Sequence, residues 1–218
     1  MFDFSIVQEF GWFFVSGIQT TIAIALLSCC IGITLGCLLG IVLSLRNLRI
    51  VRSLIMAYVI VIRGTPMLIQ VAALYYMLNF AGYNIPAFWS AVISIGMNSA
   101  AYMSQIMLSG INSVHKGQWE AAKVLGFNQV QTMWYIILPQ AIRTVVPAFG
   151  NELVTLVKDS SLASIIGVYE LTQQANVVIS QTYDAPTVYV FVGCTYLVIT
   201  SVLSLLVSWL DKKMQYHA

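Results

Sequence analysis

Residues 17–45 read GIQTTIAIALLSCCIGITLGCLLGIVLSL, a stretch without a charged side chain. About 20 consecutive apolar residues suffice for an α-helix to cross the hydrocarbon core of a bilayer, so this stretch can cross it with some tilt. A basic cluster of Arg46, Arg49 and Arg52 follows directly. The sequence therefore predicts a transmembrane helix that ends at this cluster.

The composition of the whole chain agrees with a membrane protein. Of the 218 residues, 59% are hydrophobic and 8% are charged, whereas about a quarter of the residues in an ordinary soluble domain are charged. A chain of this length holds about five or six spans and leaves no room for a separate soluble domain. Its start carries Asp3 and Glu9 but no basic residue, unlike a cleaved signal peptide. We expect a single all-α integral membrane domain over residues 1–218.

The other spans are placed by their low charge. Between Ser53 and His115 the one charged side chain is Arg63, and the turn residues of NFAGYNIP at 79–86 divide this stretch. Beyond the span at 17–45, the predicted spans are 53–78, 87–111, 139–157 and 186–210. The segment KDSSLASIIGVYELTQQ from Lys158 onward mixes apolar pieces with charges, and we interpret it as broken or re-entrant. Five spans are therefore expected.

The orientation follows from the positions of the basic residues, which collect on the cytoplasmic side of a membrane protein. Eight of the ten basic residues lie at alternate span ends. They are Arg46, Arg49, Arg52, Lys116, Lys123, Arg143, Lys212 and Lys213. This pattern predicts an external N-terminus and a cytoplasmic C-terminus.

Small residues form a stripe along the first predicted span. Gly32, Gly36 and Gly40 repeat every four residues, and Ser28 and Ser44 extend the repeat. Such a stripe lets a second helix approach closely in lipid. Two interpretations are open: packing within this subunit, or pairing with another subunit.

The most polar interruption is residues 112–138, which we call the polar loop. Glu120 to Leu125 is a run of good helix formers, Gly126 permits a sharp reversal, and Asn128 has capping-box spacing to Gln131. Pro139 is expected to break or kink the chain where the next span begins. The pattern predicts a helix–turn–helix on the cytoplasmic membrane surface, which is either a docking site for a soluble partner or an ordinary amphipathic connector.

Four motifs in this chain resemble one known family. Arg63-Gly64-Thr65-Pro66 resembles its RGTP element, and Lys116-Gly117-Gln118 precedes a run that resembles its EAA motif. That run comprises Glu120-Ala121-Ala122, Gly126 and Ile137-Leu138-Pro139, and Lys158-Asp159-Ser160-Ser161-Leu162 resembles the KDTSL element. The family comprises the permease subunits of bacterial ATP-binding-cassette importers, in particular the polar amino acid permeases for histidine, glutamine and arginine.

The resemblance implies a type I importer permease fold with about five helices and a cytoplasmic coupling helix. It implies a bacterial inner membrane protein that works as a pair of permeases with two ATP-binding subunits and an external amino-acid-binding protein. The residues that would couple this chain to the ATPase are Glu120, Ala121, Ala122, Gly126, Leu138 and Pro139.

The chain has no phosphate-binding GxxxxGK[ST] run, no catalytic constellation of side chains and no cysteine or histidine spacing typical of a metal site. We therefore expect a non-catalytic subunit that binds no cofactor. ATP and Mg²⁺ would be used by the partner ATPase.

Charges at membrane depth indicate a possible substrate pathway. An amino acid zwitterion needs a cation for its carboxylate and an anion for its ammonium, and Arg63 or Lys158 with Glu152 or Asp159 would supply both. The neutral candidates for the same pathway are Thr65, Asn98, Ser160 and Ser161. Alternatively, Arg63 pairs with Glu152 or Asp159 to hold the helices together, and the neutral groups join neighbouring helices.

Two other classes of protein compete with the importer. In an ion-coupled secondary transporter or channel, the buried charges would bind coupling ions and the polar loop would be only a connector. A scaffold subunit of a membrane complex would transport nothing. Association with a soluble ATPase separates the importer from both.

Overall fold

The structure, a computed structural model, describes residues 5–45 and 47–215, with the side chains of residues 214 and 215 left aside. The predicted cytoplasmic Arg46 and the acidic Asp3 lie outside the described residues. In chain order the helices are α1 Ser5–Glu9, α2 Gly11–Ser44, α3 Arg49–Gly64, α4 Met67–Phe80, α5 Ala87–Ser113, α6 Lys116–Val124, α7 Gln129–Thr132, α8 Leu138–Asp159, α9 Leu171–Thr182 and α10 Ala185–Gln215. A π-helical segment at Met133–Ile137 precedes α8, and a 3₁₀ segment at Ser160–Ile166 follows it.

Within the described residues, α2 and α10 are long and apolar enough to cross a membrane independently, and the bent pair α3–α4 adds a third candidate. Helix α5 covers the predicted span 87–111, but it carries the polar residues Ser90, Ser94 and Ser99. These three side chains are buried by neighbouring helices, so little of their polarity faces the surroundings. The number of five spans stays a prediction.

The expectation of one continuous helix over 53–78 is wrong. Helix α3 ends at Gly64, and α4 leaves it at an angle of 107°. Thr65 has the extended backbone conformation (φ −120°, ψ 148°) that a following proline favours. Pro66 therefore separates two helices that hydrophobicity alone would join. We call residues 63–66 the corner.

The glycine stripe of α2 packs against α5 of the same chain. A methyl group added at Gly36 would lie 2.5 Å from Met103 Cβ, and one added at Gly40 would lie 2.6 Å from Met107 Cβ. Further along the same interface, the Ser28 hydroxyl donates to the Val92 carbonyl at 3.1 Å. The stripe is therefore used within the subunit, as the first of the two interpretations expected.

The segment after α8 is broken, as predicted. The 3₁₀ segment ends at Gly167, which has a left-handed backbone (φ 77°) that reverses the chain. Glu170 then begins α9 as its N-cap and accepts hydrogen bonds from the backbone N–H groups of Thr172 and Gln173. Tyr196 of α10 donates to the same buried carboxylate at 2.9 Å. Glu170 thus joins the start of α9 to α10.

Two hydrophobic clusters mark opposite ends of the helix bundle. One contains Phe14 near the start of α2 together with Val178 of α9 and Val188 of α10. The other contains Ile111 and Ile137, with Leu45 and Trp119 packed against it. The turn between α2 and α3 therefore lies at the same end as the polar loop.

Candidate functional site

The polar loop forms the predicted helix–turn–helix. Helix α6 ends at Val124, and α7 begins after a complete capping box, in which the Asn128 side chain accepts from the Gln131 backbone and the Gln131 side chain accepts from the Asn128 backbone. The two bonds measure 2.9 and 3.0 Å. The second helix is short, however, because the π-helical segment at Met133–Ile137 follows α7 directly.

Gly126 makes the reversal between α6 and α7. Its φ of +80° lies in the left-handed region, which a side chain disfavours. The chain closes over the end of α6 through two backbone bonds of 3.0 Å, from Gly126 N to Lys123 O and from Phe127 N to Ala122 O. The predicted role of Gly126 in the bend is thus seen in its backbone.

Pro139 does not break the chain, which was one of the two outcomes expected there. It directly follows the π-helical segment and so lies inside a continuous helical stretch. Immediately before it, the Leu138 N–H donates to the Met133 carbonyl five residues back, which widens the helix by one residue. The chain is therefore helical from Gln129 through Asp159.

The two alanines of the EAA-like run face different surroundings. Ala122 is completely buried, as Leu138 nearly is, whereas Glu120, Ala121, Gly126 and Pro139 are exposed. Large apolar side chains project beside them: Val124 is 88% exposed and Leu125 is 73% exposed. Trp134 and Tyr135 are also exposed. Exposed apolar side chains on the most polar segment of the chain are typical of a surface that contacts either a protein partner or the membrane.

The charged candidates lie on α3 and α8. The Arg63 guanidinium is 4.8 Å from the centre of the Tyr102 ring of α5, a cation–π contact. Within residues 5–45 and 47–215, Arg63 forms no ion pair with Glu152 or Asp159. Pairing of these charges to hold the helices together therefore has no support in this structure.

Glu152 lies where three helices meet. The Ser99 hydroxyl of α5 donates to its carboxylate at 3.1 Å, and a methyl group added at Gly32 of α2 would lie 2.6 Å from that hydroxyl. Further along α8, at its C-terminal end, Lys158 is exposed and Asp159 is half-buried. The acidic and basic candidates of α8 thus lie on one helix but at different positions along it.

The neutral candidates form hydrogen bonds to other groups of the same chain. Ser160 and Ser161 donate to the carbonyls of Val157 and Lys158, three residues back in each case. Thr65 donates to the Val61 carbonyl. Asn98 is buried and donates to the Gln70 side chain of α4 at 2.8 Å, so it joins two helices, as the alternative interpretation expected.

The sequence of this chain matches the family described as binding-protein-dependent transport system inner membrane component over residues 32–216. The chain belongs to this family. Its members are the membrane permeases of importers that also contain an ATPase and a substrate-binding protein. The chain is thus a permease subunit with a multi-pass membrane fold.

This permease is similar to curated relatives over nearly its whole length. It is 35% identical to the arginine transport system permease protein ArtQ of Bacillus subtilis, across 98% of this chain and 97% of the relative. It is 34% identical to the glutamine transport system permease protein GlnP of Escherichia coli, across 98% of both chains.

Solved structures share the fold of this permease. A chain from the crystal structure of an amino acid ABC transporter with histidines superimposes with a TM-score of 0.91 at 35% identity, covering 98% of this chain and 99% of that one. A chain of the MetNI methionine ABC transporter, at 20% identity, gives a TM-score of 0.81 over 93% of this chain and 96% of that one, which shows the same fold.

Gln70 is a residue of this permease that the sequence analysis did not single out. It contacts two of the candidate pathway residues, because it accepts from Asn98 and donates to Thr65. The available signal was a lone amide in the apolar run MLIQVAAL, four residues after Pro66. Within the part of the chain that the structure describes, no group of three or more histidine, cysteine or carboxylate side chains is arranged to hold a metal ion.

Proposed function

We propose that this permease is the transmembrane subunit of an ATP-driven importer of polar amino acids. The full-length similarity to permeases named for arginine and glutamine supports this cargo class, as does the similarity to an amino acid transporter solved with histidines. The mixed charges on α3 and α8 suit zwitterionic cargo, since Arg63 and Lys158 attract carboxylates and Glu152 attracts ammonium groups.

The observation that carries the coupling mechanism is the unbroken helical path from the polar loop to the pathway charges. The exposed Trp134 and Tyr135 lie on the π-helical segment, and Glu152 and Asp159 lie on α8, with no turn between them. A helix transmits displacement along its axis better than a flexible loop does. Movement of a docked ATPase would therefore reach α8 directly, and the docking contacts would involve Glu120, Ala121 and the exposed apolar side chains beside them.

In this assembly, two ATPase subunits bind ATP and Mg²⁺, a second permease completes the pathway, and an external binding protein delivers the amino acid. The polar loop faces the cytoplasm, since Lys116 and Lys123 lie within it and Arg143 follows it. Leu45, which precedes the basic residues of the α2–α3 turn, packs against the same end of the bundle. The external N-terminus and cytoplasmic C-terminus follow from this orientation.

The proposal is tested by transport in proteoliposomes that contain the permease, its ATPase and its binding protein. We expect ATP-dependent uptake of labelled arginine, glutamine or histidine. Replacement of Glu152 by Gln should lower the uptake by about tenfold, the effect of losing roughly 1.4 kcal/mol of substrate interaction. The matched control is Glu9→Gln, which neutralises an exposed carboxylate near the N-terminus.

One result would contradict the importer itself, and another would contradict only the role of Glu152. Uptake that an ion gradient drives in the absence of any ATPase would identify a secondary transporter. Unchanged uptake and substrate affinity in the Glu152→Gln variant would remove Glu152 from the pathway while leaving the importer in place.

A further inference from the structure

The corner between α3 and α4 leaves backbone carbonyls without their normal donors. In an α-helix each carbonyl accepts from the N–H four residues later, which for Ile62 is position 66. That position is Pro66, which has no N–H, and Thr65 has left the helical conformation. Unpaired carbonyls in a membrane-spanning region cost several kcal/mol, so the corner needs a donor from elsewhere.

Gln70 supplies that donor. Its side-chain nitrogen lies 2.7 Å from the Ile62 carbonyl, 2.8 Å from the Thr65 hydroxyl and 3.1 Å from the Thr65 carbonyl. Since backbone carbonyls only accept hydrogen bonds, the orientation of the amide is fixed with its nitrogen toward the corner. The amide oxygen then faces α5, where it accepts from Asn98 at 2.8 Å.

Other contacts hold the same corner against α5. Arg63 lies over the Tyr102 ring, and the Tyr58 hydroxyl of α3 donates to the Met97 carbonyl of α5. On the other side, Val71, the neighbour of Gln70, is completely buried in a cluster with Ala163 and Ile166 of the 3₁₀ segment. Gln70 therefore joins the corner to α5 from a helix, α4, that also packs on the segment after Lys158 and Asp159.

We propose that Gln70 is a positioning residue of the translocation pathway, whose amide replaces the donor that Pro66 lacks and fixes the corner to Asn98 of α5. In this role it holds the Arg63 and Thr65 side chains at the place where cargo passes. The inference rests on the proposed function, because the corner matters for transport only if the chain carries cargo.

The test replaces Gln70 by Glu, which keeps the size and the acceptor for Asn98 and in its ionised form has no donor for Ile62 and Thr65. The matched control is Asn79→Asp, because Asn79 lies on the same helix and donates its amide only to the Tyr75 carbonyl. The measurements are co-purification with the ATPase, basal ATPase activity, thermal stability of the complex, and ATP-dependent uptake of arginine, glutamine and histidine as a function of their concentration.

We expect Gln70→Glu to assemble with the ATPase and to keep its basal activity, while its uptake falls by about tenfold, as expected for backbone carbonyls in a membrane-spanning region that lose their donor. Asn79→Asp should transport like the wild type. If Gln70→Glu does not assemble, Asn98→Ala tests the other end of the same amide, and we expect it to assemble and to show the same defect in uptake. Wild-type uptake in an assembled Gln70→Glu or Asn98→Ala variant overturns the inference.

A second variant separates positioning from stability. Pro66→Ala in the Gln70→Glu background returns an N–H to the Ile62 carbonyl but removes the cause of the corner. Gln70→Glu alone should lower the thermal stability of the complex, and we expect the second substitution to restore this stability while uptake stays low. If both recover together, Gln70 serves only stability and the inference is wrong. If the wild-type complex shows no ATP-driven uptake, the proposed function fails first and this inference falls with it.

Discussion

The Ser99 hydroxyl of α5 donates a 3.1 Å hydrogen bond to the Glu152 carboxylate of α8. Ser99 also lies against Gly32 of α2, so the position of this carboxylate depends on the packing of three helices. The glycine stripe and the candidate pathway residue Glu152, which the sequence presents as separate features, are therefore parts of one arrangement.

Removal of this hydroxyl should disturb transport more than folding. In Ser99→Ala the Glu152 carboxylate loses its hydrogen bond from α5, which corresponds to about 1 kcal/mol and roughly a fivefold loss of uptake. The control is Ser104→Ala, because Ser104 is also buried on α5 but donates only to the Ala101 carbonyl of its own helix. Equal uptake in the two variants would show that the bond to Glu152 has no role in transport.

A larger side chain in the glycine stripe should destabilise the subunit. Gly36→Val would force the new side chain into Met103 and the Ser104 backbone, at a cost of about 1–3 kcal/mol. Thermal unfolding of the purified permease measures this effect. Gly193→Val is the control, since a side chain at Gly193 of α10 meets no neighbour within 4 Å. A stable Gly36→Val protein would contradict the close packing of α2 on α5.

Strain at the reversal of the polar loop should weaken ATPase binding. Gly126→Ala places a side chain at φ +80°, which costs about 1–2 kcal/mol and favours a different loop conformation. Gly82→Ala introduces similar strain at φ +87° in the α4–α5 turn, away from the polar loop. We expect co-purification with the ATPase to fall only for Gly126→Ala, and a similar fall for both variants would mean that general instability is responsible.

The hydroxyl of Tyr196 should contribute to the stability of the contact between α9 and α10. Tyr196→Phe removes the donor to the buried Glu170 carboxylate at a cost of about 1–2 kcal/mol. Tyr189→Phe is the matched control, because its hydroxyl bonds to Asn176 at an exposed position. Thermal unfolding should distinguish the two variants, and equal midpoints would mean that Glu170 is satisfied without Tyr196.

The features that sequence predicted well are those governed by neighbouring residues. The capping box of Asn128 and Gln131 is present because it depends on a spacing of three residues. The bend at Gly126 follows from the conformational freedom of glycine. The polar loop is therefore predictable as a local structure, whereas its local pattern alone does not name a partner.

The features that sequence missed depend on distant contacts. The proline rule indicates that α3 ends near Pro66, but the 107° angle between α3 and α4 also involves Gln70 and its bond to Asn98, 28 residues away. Likewise, the motif Glu120-Ala121-Ala122 does not reveal that Ala122 is buried and Ala121 exposed. The break expected at Pro139 is absent because the π-helical segment before it accommodates the proline.

The packing of α5 on the glycine stripe has a consequence for how subunits recognise one another. The one smooth face of α2 is already covered within the chain, whereas its exposed positions carry large side chains such as Leu26, Leu35 and Leu38. A neighbouring permease in the bilayer therefore cannot bring its backbone close to α2 at this stripe. Any contact that a neighbouring subunit makes along α2 would therefore be made by these bulky side chains and not by the smooth stripe.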